Sequence, residues 1–146
     1  MAKRVFMVDD QEWTVEKLQQ LLRQEGFVVD YASTLDAAIS CLNENEYDAI
    51  ITDHDMDGLD GTQFLSLIRG SETDDSEINA IVDEYFAEAE YRFFVEKLKG
   101  AIPILFTADQ HVLVDDVFVA RKNNDDSDDL RAEQEIIAYL KRVLQA

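Results

Sequence analysis

The chain has 146 residues, 47% of them hydrophobic and 31% charged, with only 5 Gly and 1 Pro. This is one domain's worth of chain with enough apolar side chain to fill a core, which excludes a disordered or low-complexity polymer. Asp and Glu outnumber Lys and Arg 32 to 13, a net charge of −19, so the average surface repels phosphate backbones and anionic lipid, and neither nucleic acid nor membrane is expected as a direct partner.

The amino terminus offers only Val5, Phe6, Met7 and Val8 before Asp9 and Asp10 end the apolar run, too little for a secretory signal. The longest apolar stretch, Ala101 to Phe106, is far short of the ~20 residues of a membrane span, so a cytoplasmic protein is expected. Arg4 to Val8 reads as a buried strand. Glu12 to Glu25 carries Val15, Leu18, Leu21 and Leu22 at helical spacing and ends at Gly26, a left-handed cap position. Phe27 to Ala32 is a second strand, and Ser33 is the expected N-cap of a helix with Leu35, Ala38, Ile39 and Leu42 inward; the lone Cys41 reads as a small hydrophobe beside them. Ala49 to Ile51 is a third strand, followed by an Asp- and Gly-rich loop and a helix with Phe64, Leu65 and Ile68 that stops at Gly70. Ile102 to Phe106 is a fourth strand, Val117 to Ala120 a fifth, and Leu130 to Leu144 a closing helix.

Strands alternating with helices imply right-handed βαβ units, hence a doubly wound α/β domain with a five-stranded parallel sheet covered on both faces. In such sheets the site lies beyond the carboxyl ends of the strands. The residues there are Asp9, Asp10, Asp53, Thr107 and the Arg121-Lys122 pair. Three converging carboxylates repel one another unless a cation intervenes. Oxygen donors, a backbone carbonyl and several waters describe a magnesium (Mg2+) site better than a zinc or calcium cage. The plain alternative is three solvated loop aspartates.

These residues resemble the receiver domain of two-component response regulators. The acidic pair Asp9-Asp10 follows the first strand, the segment Ile51-Thr52-Asp53-His54-Asp55-Met56-Asp57-Gly58-Leu59-Asp60-Gly61 follows the third, and Pro103-Ile104-Leu105-Phe106-Thr107-Ala108 forms the fourth. The resemblance covers nearly the whole chain except residues 71–100, and the motifs are specific only in combination. It implies a flavodoxin-like fold and a single receiver domain over 1–146, with Asp53 as phosphoacceptor. Asp10 would hold the metal directly, Asp9 largely through water, Asp53 by its carboxylate and Asp55 by its carbonyl. Thr107 would donate to a phosphoryl oxygen, a lysine or arginine (Lys122 or Arg121) would contact another, and Thr107 with Phe118 would form the switch. The implied partners are a histidine kinase or phosphotransfer protein and a protein target. Such a domain accepts a phosphoryl group and loses it by autodephosphorylation without being an enzyme in the ordinary sense.

The sequence departs from the family at the fifth strand, where Phe118-Val119-Ala120-Arg121-Lys122-Asn123 lacks the usual Lys-Pro. Counting from Phe118 selects Arg121, whereas a one-residue bulge selects Lys122. Asp57 also replaces a customary proline. Two other readings stand beside the receiver: a pseudo-receiver that keeps the fold as an interaction module without phosphate chemistry, and a calcium-binding sensor. Asp53-x-Asp55-x-Asp57-Gly58 begins like an EF-hand loop, but Phe64 stands where the twelfth-position Glu belongs. His54 and His111 are isolated and join no site.

Between Ala108 and Arg121 there is room for only a very short fourth helix or none. Residues 71–100 form a helical insertion before the fourth strand, with Ser76 as expected N-cap. Ile78, Ile81, Val82, Tyr85, Phe86 and Ala89 trace an apolar stripe that Phe93, Phe94, Val95 and Leu98 extend. One long helix or two would either cover the core face or form a partner or homodimer surface through 71–100. With the closing helix running to Leu144, a stand-alone regulator whose output is a surface is expected.

Overall fold

The computed structural model describes residues 2–56, 58–70, 73–108, 117–122 and 129–145. Five strands, β1 (Arg4–Val8), β2 (Val28–Ala32), β3 (Ala49–Thr52), β4 (Ile102–Thr107) and β5 (Phe118–Arg121), pair in the order β2-β1-β3-β4-β5. All four pairings are parallel. Six helices accompany them among the described residues: α1 (Glu16–Gln24), α2 (Leu35–Glu44), α3 (Gly61–Arg69), α4 (Ser76–Tyr85), α5 (Glu88–Leu98) and α6 (Arg131–Leu144). The order reverses between β1 and β3, which puts the switch-point crevice at the ends of those two strands.

The strands read as continuous apolar runs because both faces are covered. Val5 and Met7 pack under α1 and α6 with Leu18, Leu22, Ile51, Phe106, Ile136 and Leu140. Phe6 and Val8 point the other way into a core shared with Leu42, Ile50, Phe64, Leu67, Phe94 and Leu98. The expected helix from Glu12 is split: Glu12–Thr14 is a 3-10 turn, and Val15 at φ −119, ψ 3 lies outside helical geometry before α1 starts. At the other end Gly26, at φ 93, permits the left-handed cap, and the Phe27 amide donates to Leu22 O at 3.0 Å. This keeps Phe27 out of β2.

Two expected N-caps shift by one residue. Thr34, not Ser33, accepts from the Ala37 amide at 3.2 Å, and Asp75, not Ser76, accepts from Glu77 at 2.9 Å and Ile78 at 3.2 Å. The helical insertion is two helices, parted where Phe86 takes an extended conformation (φ −135, ψ 139). Both pack against α3, and α5 also reaches α2. Ile78, Phe86, Phe94 and Leu98 are buried, Phe86 meets Phe94 at a ring distance of 4.8 Å, and the Tyr91 hydroxyl donates to Leu67 O at 2.6 Å. These residues of the stripe thus help cover the core, whereas Ala89 and Phe93 of the same stripe are exposed. The short fourth helix expected after Ala108 falls largely on 109–116, outside the described residues.

Candidate functional site

Asp9 follows β1 and is 1% exposed, and Asp53 follows β3 and is 9% exposed. Their adjacency is a register effect: β1 and β3 pair as Val8 with Thr52, and the Asp53 amide donates to Val8 O at 3.1 Å. Asp9, Asp10 and Asp53 offer carboxylate oxygens within 4.8 Å of one another. Asp9 is held firmly. Its Oδ1 accepts from the Gln11 amide at 2.9 Å, and its Oδ2 accepts from Thr14 Oγ1 at 2.9 Å and from the Lys122 ammonium. The Tyr31 hydroxyl donates to Asp9 O. Asp10 is exposed.

Lys122 leaves the end of β5, its amide bonded to Thr107 O at 2.9 Å. Its ammonium, on a side chain only 8% exposed, contacts Asp9, lies 3.4 Å from Asp53 Oδ1 and donates to Thr14 Oγ1 at 3.1 Å. Burial raises the Asp53 carboxyl above its ordinary range and Asp9 adds to this. The Lys122 charge and the His54 amide, 2.8 Å from Oδ1, oppose the shift without cancelling it. The site thus gathers three carboxylates, two of them paired with the Lys122 ammonium, and Asp10 stands on its solvent side. That donor set, all oxygen and all hard, fits a small divalent cation.

The loop after β3 is shaped by two glycines. Gly58 sits at φ 96, and a Cβ on Gly61 would fall 2.3 Å from Asp53 O and 2.9 Å from His54 Cα. Only glycine lets α3 begin this close to the Asp53 loop. Asp60 caps α3 by accepting from the Gln63 amide at 2.8 Å while Gln63 Oε1 accepts from the Asp60 amide at 2.9 Å. The segment before Asp53 is a strand and α3 begins at Gly61, so the loop does not have the helix-loop-helix frame of a calcium sensor.

Of the expected site residues, Asp9, Asp10, Asp53 and Lys122 come together, and Thr107 stands fully buried at the end of β4. Asp55 is exposed in the adjoining loop. Lys122 makes the ion pairs, and it does so without a bulge: β4 and β5 pair continuously from Ile104–Phe118 to Thr107–Arg121. Arg121 lies on a groove shared with Asp129, Arg131 and Glu135. Phe118 does not face Thr107. Its ring stacks on Tyr139 of α6 at 4.2 Å and 11°, on the α1–α6 side, and the residue three before Lys122 is Val119. A switch in which Phe118 fills space left by Thr107 does not fit this placement. Thr14 and Tyr31 were not singled out from the sequence. Thr14 had a signal, a hydroxyl one turn after the acidic pair, but the helical reading of 12–25 hid it.

The comparisons with known proteins follow the same lines. Residues 5–101 match the family model described as response regulator receiver domain. The transcriptional regulatory protein PcoR of Escherichia coli is 33% identical over 69 residues, covering 47% of this chain and 30% of that protein. The matched stretch thus spans about a third of the length of such curated relatives. Among solved structures, response regulator TrrA of Thermotoga maritima in complex with Mg(2+)-BeF superimposes with a TM-score of 0.59 at 23% identity, covering 94% of this chain and 98% of TrrA. TrrA in complex with histidine kinase ThkA gives 0.57 at 21%, covering 97% and 98%. At these identities the structures attest the fold, and it is the family match over most of the chain, with the aspartates and lysine assembled at one sheet edge, that establishes this chain as a member of the response regulator receiver domain family.

Proposed function

We propose that this chain is a phosphoacceptor in a two-component relay, taking a phosphoryl group on Asp53 from a phosphohistidine of a histidine kinase or phosphotransfer protein. The observation that carries the reading is the gathering of Asp9, Asp10 and Asp53 at the switch-point edge, with the Lys122 ammonium paired to Asp9 and Asp53. Asp53 Oδ attacks phosphorus, the P–N bond to the donor imidazole breaks, and the electron pair leaves on the imidazole nitrogen. Lys122 is placed to neutralise charge on the transferred oxygens, as a compact ammonium with rotatable donors does well. Thr107, buried at the end of the neighbouring strand, supplies a hydroxyl on the same edge. Asp10 and Asp53, with Asp9 beside them and the Asp55 carbonyl, would hold Mg2+, which when bound offsets the negative charge of the transferring group. The phosphorylated chain then presents a changed surface to a protein target.

The test is exposure to phosphoramidate or acetyl phosphate with magnesium, read by intact mass. One phosphoryl group, absent from Asp53→Asn and absent after chelation, is the expected result. No uptake by the folded parent protein would leave the interaction-module reading in its place. Tight, magnesium-resistant calcium binding would favour the calcium sensor.

A further inference from the structure

Phe93 is 72% exposed on α5, the helix that turns Phe94 and Leu98 into the core. A single exposed aromatic is ordinary on a protein surface, but the setting of this one sets it apart. α5 runs Glu88–Leu98, and Lys99 keeps helical geometry as its cap (φ −57, ψ −34), so Phe93 stands at the midpoint of the helix. In a chain of net charge −19, residues 88–99 hold three acids, Glu88, Glu90 and Glu96, and three bases, Arg92, Lys97 and Lys99, and are locally neutral. Trp13 is exposed to the same extent, but it stands among exposed Asp10, Glu12 and Glu16, where two copies of the chain would repel.

The charges are ordered as well as balanced. At about 3.6 residues per turn, the outward face of α5 is made by Ala89, Phe93 and Glu96, with Arg92 beside them, all exposed. Glu88 and Lys99 fall on one flank of that face, Glu90 and Lys97 on the other, so each flank has its acid toward the N-terminal end and its base toward the C-terminal end. When two copies meet across a two-fold axis with their α5 helices antiparallel, like flanks face each other with direction reversed. One register then sets Glu88 against Lys99 of the second copy and Glu90 against its Lys97, brings Glu96 within reach of its Arg92, and lays Phe93 beside its own copy. A parallel pairing would put each acid against itself. The contacts these groups already make leave room for the exchange. Arg92 pairs with Glu88 at 3.3 Å with the two side chains 74% and 91% exposed, an arrangement that adds little to the fold. Lys97 uses one of its three N–H donors on Asn43 O at the end of α2.

We propose that this face binds a second copy of the same chain: two molecules associate through antiparallel α5 helices about a two-fold axis beside Phe93. The inference stands apart from the phosphate reading. A helix of 11 residues spans only about 16 Å, which places the contact in the small, transient class below about 1,200 Å2 in total, with a dissociation constant of about 100 µM. Because α1 and α6 lie on the opposite face of the sheet, the pairing leaves them uncovered.

The test is sedimentation velocity on the whole chain from about 10 µM to about 1 mM, a range that brackets the expected constant, with a charge-swap cycle. The parent should pass from monomer to dimer, and Phe93→Ser should weaken association at least tenfold by removing the aromatic at the centre of the contact. Glu88→Lys and Lys99→Glu should each weaken it about fivefold, because each sets like charges against each other twice in the dimer. The two together restore opposite charges and should return affinity to within about twofold of the parent. Glu84→Lys, the same charge change at an exposed position of α4, should move affinity less than twofold. Circular dichroism checks each fold, and the charge cycle keeps the question open to refutation should Phe93→Ser unfold. A parent that stays monomeric at about 1 mM overturns the proposal. So do association that survives Phe93→Ser in a folded protein and a double charge swap that fails to restore what the single changes remove.

Discussion

Gly61 joins the fold to the chemistry, and replacing it with alanine tests both. It is the first residue of α3, is buried, and donates its amide proton to His54 O at 2.8 Å. A Cβ there would lie 2.3 Å from Asp53 O, 2.7 Å from Leu105 Cδ1 and 2.9 Å from His54 Cα, where ordinary contact begins at 3.4 Å. The worst overlap is thus about 1 Å, and two of the three atoms are backbone that no rotamer change moves aside. Overpacking of this kind costs about 1–3 kcal/mol, and backbone contacts put Gly61→Ala at the upper end. The helix preference for alanine returns at most ~1 kcal/mol. The net loss is about 2 kcal/mol, or roughly 4–8 °C in Tm for a chain of this size. The easiest relief moves the Asp53 loop, and misplacing an attacking oxygen by even ~1 Å slows transfer by about a hundredfold. Thermal unfolding by circular dichroism and phosphoramidate uptake read the two effects. Gly100→Ala is the control, since nothing lies within 4 Å of its Cβ position; it should be neutral. A Gly61→Ala protein with parental Tm and parental uptake would refute the reasoning.

Asp53→Asn should stabilise the metal-free protein at neutral pH, because desolvation of the native carboxylate, with Asp9 beside it, outweighs its pairing with Lys122. With the folded-state pKa raised, the native form binds the extra proton, so the parent loses stability as pH rises from the unfolded value through the folded one. The advantage of asparagine should therefore vanish on acidification, and an advantage that grows toward low pH would contradict the assignment. Phe94→Ala empties a site that is 0% exposed and should cost about 3–5 kcal/mol in urea unfolding. Phe93→Ser, at a position 72% exposed, should stay within ~0.5 kcal/mol; a fall in self-association at unchanged stability, read by light scattering, would mark this face as a homodimer surface. Thr14→Val removes the hydroxyl shared by Asp9 and Lys122 and should cost about 1–2 kcal/mol; no loss in calorimetry would mean that the hydroxyl is not part of the site's frame.

The sheet and the acidic cluster were legible because both follow from one pattern: short apolar runs that must be buried on two faces, of which β1, β3 and β4 run into Asp or Thr at the edge where parallel strands open. What failed to read out turned on single residues. The spacing at the fifth strand is counted from Phe118, the aromatic there, whereas the residue three before Lys122 is Val119, and in a strand one position exchanges faces. That anchor leaves Arg121 and Lys122 undecided and assigns Phe118 a partner on the wrong side of the sheet. The N-caps moved by one residue for a related reason: Ser33 and Thr34, like Asp75 and Ser76, are adjacent side chains of nearly equal capping ability, and the backbone geometry around them decides which one bonds. Thr14 was hidden by the apolar spacing of Val15 and Leu18, which extends a helical period through a turn that is 3-10.

Lys122 and Phe118 both lie on the α1–α6 side, and this has a consequence for how the site is read by the rest of the molecule. The ammonium stands over Phe106, and at the start of β5, three residues before Arg121, Phe118 stacks on Tyr139, whose ring is in turn covered by the Arg142 guanidinium at 5.5 Å. Val119, on the opposite side of β5, is too small to repack as an aromatic ring does. The insertion does not supply that coupling either, since α4 and α5 are committed to α3 and α2. A displacement of the lysine therefore bears on the side of the sheet where α6 packs against β5 and α1. Two-state packing changes need an element with two places to rest, and on this side of the sheet α6 is the element that stacks on β5 through Tyr139.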